Sequence, residues 1–566
     1  MSRKKKTLAV LDIETDPFKY GRPPKPFILG FYDGDTYEEF SGADCVAQCV
    51  AWLADQPTDY LIYAHNGGKF DYFFFLEHFD PVLKIINGRI AKATIDRHEF
   101  RDSYMILPLP LAAHKKDDFD YRILEADQRD KPENRKKIQL YLRHDCEYLF
   151  DWVSKFTDRF GRKLTLASAA FDQLKKTGYE IPQGNPYFDE TFRPYYFGGR
   201  VEAIEPGSHI GEFEYYDINS AYPYAMQYQH PLGFEYERLT HLPKKPPYFA
   251  TVLARSLGAL PYRAQDGSLS FPRDGELREY HATGWEIEAG IDTNTLEIVT
   301  VLQCLKPKFT RNFTDYVDKF FKEKSDAKKA GDKDTEIFAK LMLNSAYGKF
   351  GMDPSKFKEY CLCEYGTLPP HPDTGLEPTT ERQIEETLKP AGPWSKTSQE
   401  QGYAIYERDA PGDSYYNVAT ASSITGFVRA HIWRSICASE RPIYCDTDSL
   451  MCEKFNGPIG DALGEWKLED PLSEISIGGK KMYAVRIDCH RLTLDEIFAR
   501  NTAHIEKTGK EMEERDWWKT ASKGARLDYL QIIEVAKGNR VTWRKDAPSF
   551  SLRYGARFIQ RNIERT

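Results

Sequence analysis

The sequence predicts a multidomain protein that combines α/β and α+β folds. Its 566 residues correspond to about three to five domains at roughly 100–200 residues each. The 35 Tyr and 34 Phe supply apolar surface for several packed cores and exclude a largely disordered chain. Near the N-terminus strand-like and helical runs alternate, which is typical of α/β folds.

The N-terminal part begins with two predicted strands. TLAVLDIET predicts a buried strand, GRPPKPF a turn and ILGFYDG a second strand. A helix is predicted over residues 45–54, and the apolar strand YLIYAH follows it. Helical runs then extend over residues 151–176, and the stretches IPQGNPYF and YYFGGR predict a linker between domains because they are rich in Pro, Gly and Tyr.

Two insertions interrupt the rest of the chain. The first insertion, residues 229–312, combines many Pro with short strand-like runs and predicts a small α+β unit. Residues 310–350 have a helical pattern, with a turn inside KEKSDAKKAGDKD. The second insertion, residues 352–412, is rich in Pro, Gly, Ser and Thr and predicts a long loop or hairpin.

Composition excludes several classes of protein. A mean hydropathy of -0.60 and the lack of any apolar run near about 18 residues exclude a transmembrane helix, so we expect no membrane partner. The opening MSRKKKTLAV has no apolar core before Asp12, so we expect no signal peptide. The ten Cys lack the CxxC spacing of a zinc site, and we expect reduced thiols in a cytosolic protein.

Charge is unevenly distributed along the chain. The 78 Lys and Arg against 86 Asp and Glu give a net charge of -8, which alone argues mildly against nucleic-acid binding. From Lys519 to the end, however, there are eleven basic and four acidic residues with aromatic residues between them. That mixture indicates a surface that follows a phosphate backbone, although a solvated helical face has the same composition.

Four carboxylates in the N-terminal part predict a metal site. Asp12 and Glu14 are two residues apart in a strand, so they share a face, and their apolar neighbours make them costly unless they bind a cation. Asp71 follows the strand YLIYAHN, and Asp145 lies four residues after Tyr141 on one helical face. Such a set is able to hold two Mg²⁺ ions about 4 Å apart for phosphodiester hydrolysis. Each pair alone also fits a solvated strand end.

Three further carboxylates predict a second metal site. Asp217 ends an apolar strand in YYDINSAYPYAM, and Tyr222 follows five residues later. Asp446 and Asp448 occupy the predicted hairpin turn of IYCDTDSLM. Two metal ions held there would bind a triphosphate and activate a 3′ hydroxyl, whereas an ordinary hairpin turn is the alternative for the DTD segment.

A helix between these segments carries polar side chains on one face. In AKLMLNSAYGKFG, Lys340, Asn344 and Tyr347 recur at helical spacing. The lysine is suited to a phosphate and the ring to stacking on a base. An ordinary surface helix is the alternative for this segment alone.

In this order the segments resemble the motifs of family B DNA polymerases, and more narrowly the protein-primed branch from small bacteriophages and linear plasmids. DIET, HNGGKFD and YLRHD resemble the motifs of a proofreading 3′→5′ exonuclease. DINSAYP, KLMLNSAYGK and CDTDS resemble polymerase motifs A, B and C, while YFGG and KMY resemble the YxGG linker and the KxY motif. The resemblance spans about residues 11–483. The sequence departs from the family pattern in two segments, at the glycines of HNGGKFD and at Val428.

The resemblance implies an RNase H-like exonuclease domain followed by a right-hand polymerase with two inserted subdomains. The implied ranges are an exonuclease at 1–160, a palm at 161–228 and 413–514, the first insertion at 229–312, fingers at 313–351, the second insertion at 352–412 and a thumb at 515–566.

For the exonuclease, the resemblance implies that Asp12, Glu14, Asp71 and Asp145 are metal ligands and that Tyr141 orients the attacking water. Lys116 would stabilise the charge that develops on the phosphate. The implied contacts to the single-stranded 3′ end are His65, Asn66, Phe70, Ser103 and Tyr121.

For the polymerase, the resemblance implies that Asp217 and Asp448 hold two Mg²⁺ ions, with Mn²⁺ as a substitute, and that Asp446 supports them or is a ligand. The implied nucleotide contacts are Tyr222 under the sugar, Lys340, Asn344, Tyr347 and a second lysine, for which Lys324 is favoured over Lys328. The implied DNA contacts are Tyr196, Gly198, Gly199, Thr425, Arg429, Lys481 and Tyr483.

The implied partners are template and primer DNA, dNTPs and a terminal protein whose hydroxyl primes synthesis. The first insertion would dock the terminal protein, and the second would encircle the template and support strand displacement. We expect a monomer in the cytoplasm of a bacterial host, encoded by a virus or plasmid. Three alternatives remain: a stand-alone exonuclease, a non-enzymatic DNA-binding scaffold, and a polymerase that uses only nucleic-acid primers.

Overall fold

A computed structural model describes residues 6–18, 21–354, 357–364, 367–370, 394–400, 403–409, 415–551 and 555–565. The loop or hairpin predicted for the second insertion therefore lies partly outside the described residues. Within the described ranges, no helix is both long and apolar enough to cross a membrane.

The N-terminal domain is built on one mixed sheet, the N-terminal sheet. Its elements in chain order are β1 (Thr7–Thr15), β2 (Pro26–Tyr32), β3 (Tyr37–Ser41), α1 (Cys45–Asp55), β4 (Tyr60–Ala64), β5 (Val82–Ile86), β6 (Arg89–Ile95), β7 (His98–Asp102), α2 (Ala126–Arg129) and α3 (Pro132–Phe160). The predicted strands and the helix over 45–54 are confirmed.

Strand pairing in this domain brings the predicted acids to one place. β1 runs parallel to β4 and antiparallel to β2, and β4 runs parallel to β7. The long helix α3 packs across β1, burying Leu149 and Trp152 in the same cluster as Val10 and Tyr63. Because α3 crosses β1, its Asp145 lies over the strand that carries Asp12.

The middle of the chain forms a linker, the first part of a second sheet, and the first insertion. The elements are α4 (Leu166–Lys176), α5 (Pro186–Phe192), β8 (Val201–Ala203), β9 (Gly207–Ile218), α6 (Ala221–Met226), β10 (His230–Pro231), β11 (Tyr236–Leu239), β12 (Phe249–Ser256), β13 (Tyr262–Arg263), β14 (Leu269–Ser270), β15 (Leu277–Thr283), α7 (Gly284–Asp292), β16 (Leu296–Pro307) and β17 (Thr310–Arg311). The predicted α+β insertion is confirmed: α7 packs on a four-stranded sheet ordered β11-β16-β12-β15.

Two antiparallel helices follow, α8 (Thr314–Ala330) and α9 (Lys333–Phe350). The turn between them falls inside the predicted KEKSDAKKAGDKD segment. Gly331 ends α8 in the left-handed conformation with φ of 73°, and the Asp332 side chain accepts a hydrogen bond from the Thr335 N–H to begin α9.

The second insertion extends the N-terminal sheet, which corrects the expectation of a loop or hairpin alone. Its described strands are β18 (Lys358–Glu364), β19 (Ser395–Glu400) and β20 (Tyr403–Asp409). β18 pairs antiparallel with β5, with Cys361 opposite Val82, and the sheet runs β19-β20-β18-β5-β6-β7-β4-β1-β2-β3. Local periodicity does not reveal a pairing between strands so far apart in the chain.

The C-terminal part completes a second sheet, the central sheet. Its elements are α10 (Val418–Ala438), β21 (Ser439–Asp446), β22 (Ser449–Phe455), β23 (Trp466–Gly479), β24 (Met482–Ile487), α11 (Leu494–Thr508), β25 (Trp518–Ser522), α12 (Tyr529–Ala536), β26 (Val541–Ser551) and β27 (Gly555–Arg565). The central sheet is antiparallel, in the order β25-β24-β23-β9-β22-β21-β8. β25, which the resemblance places in the thumb, is thus an edge strand of this sheet.

Candidate active sites

The first site lies where β1 meets α3. One carboxylate oxygen from each of Asp12, Glu14 and Asp145 lies within 4.8 Å of the others. Asp71 begins a short 3-10 turn after β4 and is only 3% exposed. The structure thus brings the four predicted acids, which come from three separate segments, into one electrostatic cluster.

Burial and mutual repulsion set the electrostatics of this cluster. Burial, followed by the charge of Asp145, raises the pKa of Asp12 to about 7. Burial, followed by the charge of Asp12, raises the pKa of Glu14 and that of Asp71 well above their usual ranges. Asp145 Oδ1 is buried without a hydrogen-bond partner among the described residues, so this oxygen is available to bind a cation. A donor set made only of carboxylate oxygens suits Mg²⁺ or another hard divalent cation.

Aromatic side chains and one lysine line the same site. The hydroxyl groups of Tyr121 and Tyr141 are 2.9 Å apart, and Phe119 stacks on the Tyr141 ring with centroids 3.9 Å apart. Lys116 Nζ lies 3.9 Å from Asp145 Oδ2. The predicted Tyr141 and Lys116 are therefore beside the carboxylates, and Phe119 and Tyr121 fix the Tyr141 ring.

Three of the residues predicted to contact single-stranded DNA, His65, Ser103 and Phe70, have defined partners in the protein. His65 Nδ1 is 3.0 Å from the Ser103 hydroxyl, which in turn donates to the Ala64 carbonyl. Ser103 is fully buried and orients His65, and its contact with DNA stays a prediction. Phe70 packs edge-on against Phe18, with ring centroids 5.6 Å apart.

The two glycines of HNGGKFD have a packing reason. A Cβ on Gly68 would approach the Ile90 carbonyl to 2.2 Å, and the Gly68 N–H donates to Asp102 Oδ2. Arg89 Nη1 contacts Asp102 Oδ2 at 2.6 Å and Asn66 Oδ1 at 2.7 Å. The Arg89–Asp102 pair thus holds the loop that carries Asn66, and no sequence motif pointed to it.

The second site lies at adjacent strand ends of the central sheet. Asp217 is near the end of β9, opposite Ser449 at the start of β22. The Ile218 N–H donates to the Asp448 carbonyl at 2.8 Å, which ties β9 to the turn between β21 and β22. Thr447, in the middle of that turn, has φ of 64°, and the Asp448 N–H donates to the Asp446 carbonyl at 2.7 Å, which makes the turn tight.

The three acids of this site have different surroundings. Burial, followed by the charges of Asp448 and Glu469, raises the pKa of Asp217 to about 7. Burial, followed by the charge of Asp446, raises the pKa of Asp448. Asp446 Oδ1 accepts from Lys481 Nζ at 2.6 Å, so this acid already has a cation.

A cavity of about 710 Å³ opens above Asp217 and Asp448. The predicted nucleotide contacts that line it are Tyr222, Lys324, Lys340, Asn344 and Tyr347. Lys328, the alternative to Lys324, lines it as well, so the structure brings both lysines to the cavity. The Tyr222 and Tyr347 rings stack in parallel, with centroids 4.1 Å apart.

Sequence reasoning missed acidic and basic residues that line this cavity. Glu469 and Lys467 lie on β23 beside Asp217, and Asp461 lies in the loop before that strand. Glu469 also lines a neighbouring cavity of about 530 Å³ with Tyr483 and Lys519. They belong to no motif, and only strand pairing brings them to the site.

Two predicted DNA contacts, Thr425 and Arg429, are buried among protein groups. Thr425 is 3% exposed, and its hydroxyl donates to the Ser422 carbonyl on its own helix. Arg429 is 1% exposed and is bound to Glu286 and to backbone carbonyls. Contact of either side chain with DNA stays a prediction. Val428, where the sequence departs from the family pattern, is buried in the core of the same helix.

His114, Asp151 and Asp334 form another close group of His and Asp side chains among the described residues. His114 Nε2 is 3.0 Å from Asp151 and its Nδ1 is 2.7 Å from Asp334. Lys155 Nζ lies 2.8 and 2.9 Å from the same two carboxylates, so the group already contains a cation. It connects the N-terminal domain to α9, and we assign no metal to it.

Comparisons with known proteins agree with this architecture. Solved structures of phi29 DNA polymerase match 99% of the chain and 100% of their own length, with a TM-score of 0.71 and 16–17% identity, one of them in complex with primer-template DNA. The fold is therefore that of phi29 DNA polymerase.

Sequence comparison identifies the family. The model of type B DNA polymerases of organelles and viruses matches residues 111–369. The DNA-directed DNA polymerase of Enterobacteria phage PRD1 is 37% identical over 99% of this chain and 98% of its own length. A probable DNA polymerase of Agaricus bitorquis is 26% identical over 54% of this chain and 46% of its own. The chain belongs to the organellar and viral type B DNA polymerases.

The raised carboxylate pKa values predict how stability depends on pH and metal. Folding raises the pKa of Asp12 and of Asp217 from 3.8 to about 7, so the stability that each contributes is complete below pH 3.8 and is lost as the pH rises through 7. In EDTA we expect the thermal unfolding midpoint to fall between about pH 5 and about pH 8. Mg²⁺ should restore it most at the higher pH, because bound cations replace the protons.

Differential scanning fluorimetry measures this dependence. The double variant Asp12→Asn/Asp217→Asn serves as the control, because it removes two of the raised titrations and should weaken the pH response. A thermal unfolding midpoint of the wild type that does not rise with Mg²⁺ at the higher pH would contradict the prediction.

Proposed function

We propose that this chain is a DNA-directed DNA polymerase with a separate proofreading 3′→5′ exonuclease site. The observation that carries the proposal is the pair of carboxylate sites on different sheets, of which the second opens into a lysine-lined cavity of about 710 Å³. A stand-alone exonuclease would have no use for that cavity. A non-enzymatic scaffold would have no use for buried acids whose repulsion makes them costly.

In the polymerase site, the residues divide the work by position. Asp217 and Asp448 would hold two Mg²⁺ ions, which supply activation of the primer hydroxyl and neutralisation of phosphate charge. Lys340 and Lys324 would bind the triphosphate, with Lys328 at the cavity edge. Lys481, which forms an ion pair with Asp446, would hold the turn that carries Asp448. Its side chain is partly exposed and would face the primer.

The nucleotide would be recognised by shape as well as charge. The stacked Tyr222 and Tyr347 rings form a flat apolar wall of the cavity. The lysines and Asp448 line the same cavity. A nascent base pair would pack on Tyr347, and the sugar would rest on Tyr222, where a 2′ hydroxyl has no space. Asn344, on the same helix as Lys340, lies within reach of the same nucleotide.

In the exonuclease site, the residues would hold the 3′ end and its water. Asp12, Glu14, Asp71 and Asp145 would hold the divalent ions, which polarise the scissile phosphate when bound. Tyr141, fixed by Tyr121 and Phe119, would orient the attacking water. Lys116 would neutralise the charge that develops on the phosphate. His65, Asn66 and Phe70 would line the path of the single strand.

We further propose that synthesis is protein-primed and displaces the non-template strand, as the resemblance to the protein-primed branch implies. The supporting observation is the 37% identity over nearly the full length of the phage PRD1 enzyme, with both insertions inside the matched span. The setting would be the cytoplasm of a bacterial host. A polymerase that uses only nucleic-acid primers is the alternative.

Priming is tested by incubating the wild-type protein, labelled dNTPs and Mg²⁺ with each small protein encoded by the virus or plasmid that carries the gene. Protein priming predicts a covalent nucleotide–protein adduct that resists denaturation and depends on Asp448. Adduct formation by the Asp448→Asn variant would count against protein priming at this site. If the wild type extends nucleic-acid primers but forms no adduct, the alternative is favoured.

Loss of one site should leave the other active. On a primed single-stranded circle, Asp448→Asn should lower synthesis by about 10³-fold or more while the primer is still degraded, because a ligand of the polymerase site is lost. Asp12→Ala/Asp71→Ala should do the reverse. Wild-type products longer than one circle would show strand displacement. Joint loss of both activities in either variant, with folding intact by circular dichroism, would contradict two independent sites.

Tyr222 should set discrimination against ribonucleotides. Tyr222→Ala removes the ring under the sugar and should reduce the preference for dNTP over rNTP by about tenfold or more, measured as the ratio of kcat/KM values. Tyr222→Phe retains the ring and serves as the matched control, with discrimination near that of the wild type. Unchanged sugar discrimination in Tyr222→Ala would remove Tyr222 from this role.

A further inference from the structure

A buried ion pair links the first insertion to the backbone beside the polymerase site. Arg429 on α10 and Glu286 on α7 are each 1% exposed at the side chain, and Arg429 Nε lies 2.6 Å from Glu286 Oε1. The other carboxylate oxygen, Oε2, accepts from the N–H and the hydroxyl of Thr283 at the start of α7. Glu286 is therefore fixed from two sides.

A second nitrogen of Arg429 points at the chain that leads into the central sheet. Its Nη1 donates to the carbonyls of Phe197 and Gly198 at 2.7 and 2.8 Å. These residues belong to Tyr196–Arg200, which we call the glycine segment. One guanidinium thus binds two consecutive backbone carbonyls, and its planar geometry fixes the orientation of both carbonyl groups.

The other end of the glycine segment is held as firmly. Arg200 is fully buried between the rings of Phe271 and Trp433, at 4.1 and 4.4 Å from their centroids, and donates to Glu202. Phe271, like Glu286, belongs to the first insertion. The insertion therefore contacts the cation at each end of this segment.

The glycine segment also contacts the turn Asp446–Asp448, which we call the catalytic turn. The Thr447 N–H donates to the Arg200 carbonyl at 2.7 Å. A Cβ added to Gly199 would lie 2.8 Å from Thr447 Cγ2 and 3.0 Å from the Tyr222 hydroxyl. Thr447 separates Asp446 from Asp448, so displacement of this segment would move the turn that carries both acids.

Helices α7 and α10 pack closely against each other beside the Glu286–Arg429 pair. Gly426 lies against Thr283, since a Cβ there would approach the Thr283 hydroxyl to 2.3 Å. Trp285 also donates to the Ser423 hydroxyl, so α7 and α10 are joined by several polar contacts. These contacts hold α7 against α10, and Arg429 connects both helices to the glycine segment.

We propose that Glu286, acting through Arg429, is a positioning residue that sets the place of the catalytic turn and of Tyr222 for nucleotide binding. The inference rests on the proposed DNA synthesis. It gives the first insertion a role inside nucleotide addition itself, separate from any docking of a partner. Neither side chain touches DNA or nucleotide in this role.

The test compares Glu286→Gln with Glu288→Gln, its matched control on the same helix, whose carboxylate is 35% exposed and contacts Arg434. Steady-state extension of a primed template measures KM for dNTP and kcat, and digestion of a single-stranded oligonucleotide measures the exonuclease. We expect Glu286→Gln to raise the KM by about 10- to 100-fold, to alter kcat less and to leave single-strand digestion unchanged. Glu288→Gln should match the wild type.

A second variant separates positioning from loss of stability. Glu286→Met/Arg429→Met replaces the buried pair by apolar side chains, which restores stability in other buried pairs but leaves the two carbonyls without their donors. A wild-type melting midpoint with a raised KM supports the proposal. A KM that returns to the wild-type value together with the melting midpoint overturns it, as does an unchanged KM in Glu286→Gln.

Hydrogen exchange provides a readout that does not need catalysis. Glu286→Gln should speed exchange of the Thr447 amide by about tenfold or more, because local opening of the glycine segment frees its acceptor. If the wild type makes no DNA, the proposed function fails while this readout still tests the link. If the wild type makes DNA and Thr447 exchange is unchanged in Glu286→Gln, only the link fails.

Discussion

Repulsion between buried carboxylates is the constraint on which the rest of the structure depends. Each of the two sites gathers acids whose charged forms are destabilised by burial and by one another, as the raised pKa values of Asp12 and Asp217 show. A fold tolerates such groups only if rigid strands and helices hold them and cations complete them. Both sites use strand ends for this purpose, and both place a lysine at the margin: Lys116 in one and Lys340 in the other.

The same constraint explains how much of each site was predictable. Asp12 and Glu14 are separated by one residue inside an apolar strand, and Asp446 and Asp448 flank one residue of a turn. Such acids are conspicuous because they contradict the apolar pattern around them. Glu469 and Lys467 are not conspicuous, since they alternate on an edge of β23 like ordinary exposed residues. Only pairing of β23 with β9 brings them beside Asp217.

Other features depended on long-range contacts. Helix α10 is buried on nearly all sides, so it has no polar face from which the burial of Thr425 and Arg429 might have been predicted. The partners of Arg429 lie 143 and about 230 positions away, so its burial was not predictable from the local sequence. The burial of Ser103 beside His65 likewise follows from packing and not from the local sequence.

The pairing of β18 with β5 has a consequence for the order in which the protein is made. β5 emerges from the ribosome with β6 as its neighbour on one side, and its other edge stays open until the chain has been extended by more than 270 residues to β18. An open apolar edge is a site for mispairing with other chains during that interval. Lys84, at the centre of VLKII, places a charge on this edge, and charged residues there discourage aggregation. The N-terminal sheet is therefore complete only after the helices between β5 and β18 have been translated, and Lys84 protects the nascent N-terminal domain in the meantime.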